Sequence, residues 1–99
     1  MNQESTNPSN SILTKTPWDS ETLKNFEKIL EDIPAMLRGV AESRVSKKAE
    51  SLALEDARTE ITEKNMVDAF FSETPGGFLG PMTLSMEELN IDYKKYGHG

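Results

Sequence analysis

The residues able to carry chemistry are few in this chain. Cysteine is absent, which removes disulfides, thiolate nucleophiles, iron–sulfur ligation and Cys-type zinc sites together. The single histidine, His98, stands next to the last residue. A metal ligand or general base needs a fixed ring, and a ring at a chain end reads as frayed and solvated. No Ser-His-Asp set can be built around it. Gly76-Gly77 lacks the Lys-Ser/Thr pair and the strand-to-helix setting of a phosphate loop, and reads as a turn. Carboxylates are plentiful at Glu27, Glu31, Asp32, Glu55, Asp56 and Glu60. Without a histidine among them they read as a solvated polar face rather than a metal site. The expectation is no catalytic residue, no metal ligand and no cofactor bound by this chain alone.

What remains points to contact rather than conversion. Arg38, Arg44, Lys47 and Lys48, opposed locally by Glu42, form the only local excess of positive charge. Such a cluster suits a phosphate, a carboxylate or an acidic protein surface, or it is the wet side of a helix. Arg38 departs from the wet side, because helical spacing sets it between Val45 and Ala49 on the apolar stripe. It either snorkels at the helix start or pairs with a fixed anion. Trp18 reads as a core residue. Tyr93 and Tyr96 flank Lys94-Lys95 as a weak docking signal. With Arg38, the residues Phe78, Leu79, Met82, Tyr93 and Tyr96 are the candidate partner contacts.

The elements that must position these residues are helical. Thr16 can cap a first helix, with Pro17 at its first position and Leu23, Phe26, Ile29, Leu30 and Ile33 on one stripe. Pro34 ends it and opens a long second helix to about Asp56. Leu37, Ala41, Val45, Ala49, Leu52 and Ala53 make its core stripe, with Gly39 a weak point of about 1 kcal/mol. A short extended link over 57–62 leads to a third helix capped by Thr62, with Met66, Val67, Phe70 and Phe71 on its apolar face. Breakers at Pro75, Gly76, Gly77, Gly80 and Pro81 predict a loop over 75–83, then a short fourth helix capped by Ser85. Phe78, Leu79, Met82, Leu84, Met86, Leu89 and Ile91 are too apolar for a solvated tail, so this segment folds back on the helices or on a partner. The expected fold is all-α, with three main helices in short-long-short order, as in a histone fold.

Ninety-nine residues make one domain with a small core. Apolar residues are 35%, below the usual ~45–50%, which leaves room for unfolded stretches. Residues 1–16 hold almost no apolar surface and read as a disordered arm. Residues 17–71 form the helical domain, and 72–99 a partly ordered extension. The net charge of -6 argues against a general nucleic-acid coat. No apolar run spans a bilayer and no signal-peptide pattern is present. The expectation is a cytoplasmic protein without membrane contact.

Four patterns carry a family resemblance: Trp18-x-x-Glu21, Ile33-Pro34 with Leu37-Arg38, Lys48-Ala49-Glu50 with Ala53, and Glu60-Ile61-Thr62-Glu63. Over about residues 17–71 the chain resembles the small C-terminal domain of the B subunit of light-independent (dark-operative) protochlorophyllide reductase. Thr22 stands where that family favours Ala, and Ala35-Met36-Leu37 replaces its aromatic-Val step. The resemblance implies a helical fold and a setting beside redox enzymes. It does not carry over the reaction, since the parent enzyme uses iron–sulfur clusters.

These observations together lead to the expectation of a non-catalytic accessory module serving a larger redox or tetrapyrrole-handling enzyme. Two alternatives stand beside it: a small subunit of a protochlorophyllide-reductase-like oxidoreductase, and a histone-fold-like homodimer binding nucleic acid.

Overall fold

The computed structural model describes residues 14–99, which form four α-helices and no named strand. Helix α1 spans Ser20–Glu31, α2 Ala35–Glu55, α3 Glu63–Glu73 and α4 Leu79–Glu88. Single 3-10 turns lie at Gly76–Phe78 and Tyr93–Tyr96. The all-α class and the short-long-short order of the first three helices are as expected; the expectation for residues 1–13 lies outside the described residues.

Helix α1 starts later than Thr16 and Pro17 suggest. Asp19 is its cap, and Asp19 Oδ2 accepts from the Thr22 amide at 3.0 Å and the Thr22 hydroxyl at 2.7 Å. Thr16 and Lys15 are spent elsewhere: their backbone amides donate to Glu50 Oε2 at 2.6 and 2.8 Å. Thr14 is buried, so the last three residues of the expected arm are pinned to α2. Trp18 is extended, forms a parallel bridge with Ile61 and stacks on Phe26 at 4.6 Å between ring centroids. The segments leading into α1 and α3, residues 17–19 and 61–62, thus hold each other.

Helix α2 is the spine. Val45, Ala49 and Ala53 are buried against α3, and the small Ala side chains let the two helices approach closely. Ser46 is buried as well, its hydroxyl donating back to the Glu42 carbonyl at 2.6 Å. The helix stops at Ala57, whose φ of 57° is left-handed, with the Arg58 amide donating to the Ala53 carbonyl. Thr62 then caps α3 in a capping box with Asn65. Met66, Val67, Ala69 and Phe70 of α3 complete the core with Phe26, Ile29 and Leu30 of α1.

The chain after α3 departs most from the sequence expectation. Helix α4 begins at Leu79, six residues before Ser85, and includes Gly80 and Pro81. Pro81 lies in the first turn, where a missing amide costs the helix no hydrogen bond. Ser85 is inside the helix and buried. Its hydroxyl donates to Asp32 Oδ2 at 2.7 Å and ties α4 to the end of α1. Met82, Met86, Ile91 and Tyr93 are buried, so the C-terminal segment does fold back on the helices.

Candidate interaction site

Most polar groups that sequence reading singles out are engaged in holding helices together. Arg38 is half-buried and donates three hydrogen bonds: Nε to the Leu30 carbonyl at 2.9 Å, and Nη2 to those of Ile33 at 2.9 Å and Glu31 at 3.3 Å. These carbonyls lie at and just past the end of α1, where a helix leaves acceptors short of donors; that of Leu30 also accepts from the Ile33 amide at 3.0 Å. The anion that Arg38 meets is therefore the negative end of a helix, not a carboxylate. Its place on the apolar side of α2 follows, because α1 packs there.

His98 is not a frayed terminus. Its ring stacks on Phe71 at 4.1 Å, nearly parallel, and Nε2 shares a hydrogen bond with Asp68 Oδ1 at 2.7 Å. Lys64 meets the other Asp68 oxygen at 2.8 Å. Burial alone would raise the Asp68 pKa, but the hydrogen bonds from Lys64 and His98 outweigh it and hold the carboxyl below its usual range. The same contact raises the Lys64 ammonium. Tyr96 donates to Glu63 Oε1 at 2.6 Å, and burial together with that bond pushes its phenol well above the ordinary tyrosine value. Tyr93 donates to Glu87, which also raises its phenol. The last turn of the chain is thus latched to α3 by aromatic stacking and hydrogen bonds. Sequence reading missed this because a lone His near an end carries no local signal; its partner Asp68 is thirty residues away.

Among the described residues no group of three or more His, Asp or Glu is placed to hold a metal ion, and no helix is long and apolar enough to cross a membrane.

Among the described residues the four helices enclose an apolar groove of about 310 Å³. Its floor is Ile29, Val45, Phe70 and Met82, from all four helices. One wall is the first half of α2, with Leu37, Val40 and Arg44. The other is the turn after α3, with Pro75, Phe78 and Pro81. Polar atoms are sparse: Asp32 and Ser85 satisfy each other, and Glu73 and Arg44 sit on opposite sides. Leu37 is 47% exposed, Val40 57% and Phe78 52%. Large apolar side chains left open on both lips of one groove mark a contact surface.

Of the six candidate contacts, Phe78 and Met82 line this groove, with Phe78 open and Met82 buried in its floor. Leu79 is half-buried and packs on the core. Tyr93 is buried and Tyr96 half-buried, both in the latch on α3. Arg38 faces the end of α1. Leu37 and Val40 were not singled out as contacts. The signal that points to them is helix length: α2 has 21 residues against 12 in α1 and 11 in α3, so its neighbours cannot cover all of it.

The patterns behind the family resemblance fall at helix junctions. Trp18 and Ile61 pair the segments that lead into α1 and α3, Arg38 closes the end of α1, Glu50 holds residues 15 and 16, and Thr62 caps α3.

No curated protein and no solved structure matches the chain. Residues 10–99, covering the whole described fold, match the model of the family described as "Protein of unknown function (DUF2621)", and the chain belongs to that family.

Proposed function

We propose that this protein is a non-catalytic interaction module that receives an apolar segment of a larger protein in the groove between α2 and the turn after α3. The observation that carries this reading is the exposure of Leu37, Val40 and Phe78 on the lips of a groove whose floor is already packed. The buried polar side chains support it, since Thr22, Ser46, Asn65 and Ser85 each have a partner inside the fold. A site for turnover needs convergent polar groups aimed at a substrate; the groove offers mostly hydrocarbon.

The proposed partner is a redox or tetrapyrrole-handling enzyme. The resemblance of residues 17–71 to the protochlorophyllide reductase domain supports that choice. The test uses the immobilised full chain and, beside it, the variants Leu37→Asp and Phe78→Asp. Both positions are exposed, so the variants keep the wild-type melting midpoint. Wild type should retain a redox enzyme that both variants release. Equal retention by all three would place the contact elsewhere. Turnover of the captured enzyme that disappears when this chain is removed would favour the oxidoreductase-subunit reading instead.

A further inference from the structure

Two charged side chains line the groove without an ion-pair partner among the described residues: Arg44 on the α2 wall and Glu73 on the last turn of α3. Arg38, the cation that the apolar stripe points to, is spent on the carbonyls at the end of α1. Arg44 is exposed, two turns beyond Leu37 along the same wall. The Glu73 carboxylate accepts from the neighbouring Ser72 hydroxyl at 3.1 Å and meets no cation among the described residues. The two charges thus stand on opposite walls, with the apolar floor of Phe70 and Met82 between them.

The walls also select the backbone that can lie between them. Beyond its first turn, α2 uses its own amides and carbonyls. On the facing wall Pro75 and Pro81 have no amide proton, and the Phe78 amide donates to the Pro75 carbonyl at 2.9 Å. Ser85 and Asp32 are bonded to each other. Among the described residues no strand edge faces the groove. An extended segment laid there would press unpaired backbone groups against hydrocarbon, whereas a helix brings its own hydrogen bonds and presents side chains alone. From Pro34 to Arg44 the α2 wall runs about 15 Å, the length of about ten helical residues. We propose that the segment received by the groove is an amphipathic helix of about three turns, its apolar face flanked by a carboxylate that meets Arg44 and by a base that meets Glu73. This rests on the reading of the groove as a docking surface and adds the backbone form and charge pattern of the partner. The charges also fix its direction: turned end for end, the same helix sets its acid against Glu73 and its base against Arg44.

Fluorescence anisotropy with the full chain at about 0.15 M salt tests the proposal. The probe is a labelled synthetic peptide with leucines at helical spacing, glutamates along one flank of them and lysines along the other. Binding should saturate, and Arg44→Glu should weaken it at least about tenfold without moving the melting midpoint. Exchanging the peptide's glutamates for lysines should reverse the preference, so that the Arg44→Glu chain binds it more tightly than wild type does. Lys24→Glu, the same charge change on α1 outside the groove, should reproduce neither effect. A proline in the middle of the peptide, which breaks the helix, should abolish binding. Equal binding of the proline peptide, still lost in Leu37→Asp and Phe78→Asp, overturns the helix and leaves the groove as a docking surface. Indifference to Arg44→Glu, or an equal effect of Lys24→Glu, overturns the charge pattern. No binding, or binding that ignores both Leu37→Asp and Phe78→Asp, overturns the reading of the groove as well. A chain that dimerises by itself and becomes monomeric in Phe78→Asp puts a second copy in the groove and overturns the proposal.

Discussion

Removing the Arg38 guanidinium takes a charged donor from the carbonyls of Leu30, Glu31 and Ile33 at the end of α1, of which Leu30 keeps the Ile33 amide. Arg38→Met keeps the apolar stem and loses the fork. Hydrogen bonds from a charged donor are worth about 1.5–3 kcal/mol, and the freed carbonyls regain some water, so a loss of about 2 kcal/mol is expected in denaturant unfolding. Arg38→Lys should recover less than half of it, because an ammonium cannot reproduce the fork. An unchanged midpoint in Arg38→Met would mean that the three bonds contribute nothing. That Arg38 has an internal role was legible from its place on the apolar stripe. Its partners were not, because backbone carbonyls at a helix end leave no mark on side-chain sequence. Ala57 makes the opposite case. It holds a left-handed φ of 57°, which costs a residue with a Cβ about 1 kcal/mol. Ala57→Gly should therefore raise stability by up to about 1 kcal/mol by thermal or denaturant unfolding; a decrease would show the position to be unstrained.

Between helices the core is set by small-to-large contacts. Phe70 is 1% exposed and packs on Phe26 at 5.7 Å, so Phe70→Ala should cost about 3–5 kcal/mol, enough to unfold a domain of this size. The stripes on α1 and α3 and the Thr62 cap were readable because period and cap chemistry are local. The starts of α1 and α4 were not. Thr16 is an acceptable cap, but Glu50 captures its amide, and the bridge between Trp18 and Ile61 keeps residues 17–19 extended. Gly80 and Pro81 break helices in isolation, yet Ser85 bonding to Asp32 anchors α4 from the far side. Two of these ties respond to acid. The Glu50 carboxyl, which burial alone would raise, is held below its usual range by the amides of Thr16 and Lys15, as Asp68 is by Lys64 and His98. A carboxyl depressed in the folded state contributes stability in full above its ordinary pKa and loses it as pH falls through the lower folded value. Amide exchange should show residues 14–16 and 93–98 protected at neutral pH and released only below about pH 4. Release already near pH 6 would mean that neither carboxylate holds its segment.

At the scale of the whole molecule the decisive feature is a length mismatch. Sequence period places Leu37 on the same core stripe as Ala41 and Val45, which is right for the helix and wrong for the fold. Helix α3 ends at Glu73, and Pro75 turns the chain outward, so no side chain arrives to cover Leu37. The overhang of α2 and the turn carrying Phe78 become the two lips of the groove. One-dimensional spacing describes each helix well and says nothing of where its neighbours stop. The groove's role as a docking surface is tested most directly by a photo-crosslinking phenylalanine analogue placed at position 78, and separately at Lys24, which is exposed on α1 and outside the groove. After irradiation of cells making each version, position 78 should yield a discrete adduct with one larger protein that position 24 does not. The adduct should disappear when Leu37→Asp is added on the opposite lip. No adduct at position 78, or the same adduct from both positions, would contradict docking through the groove.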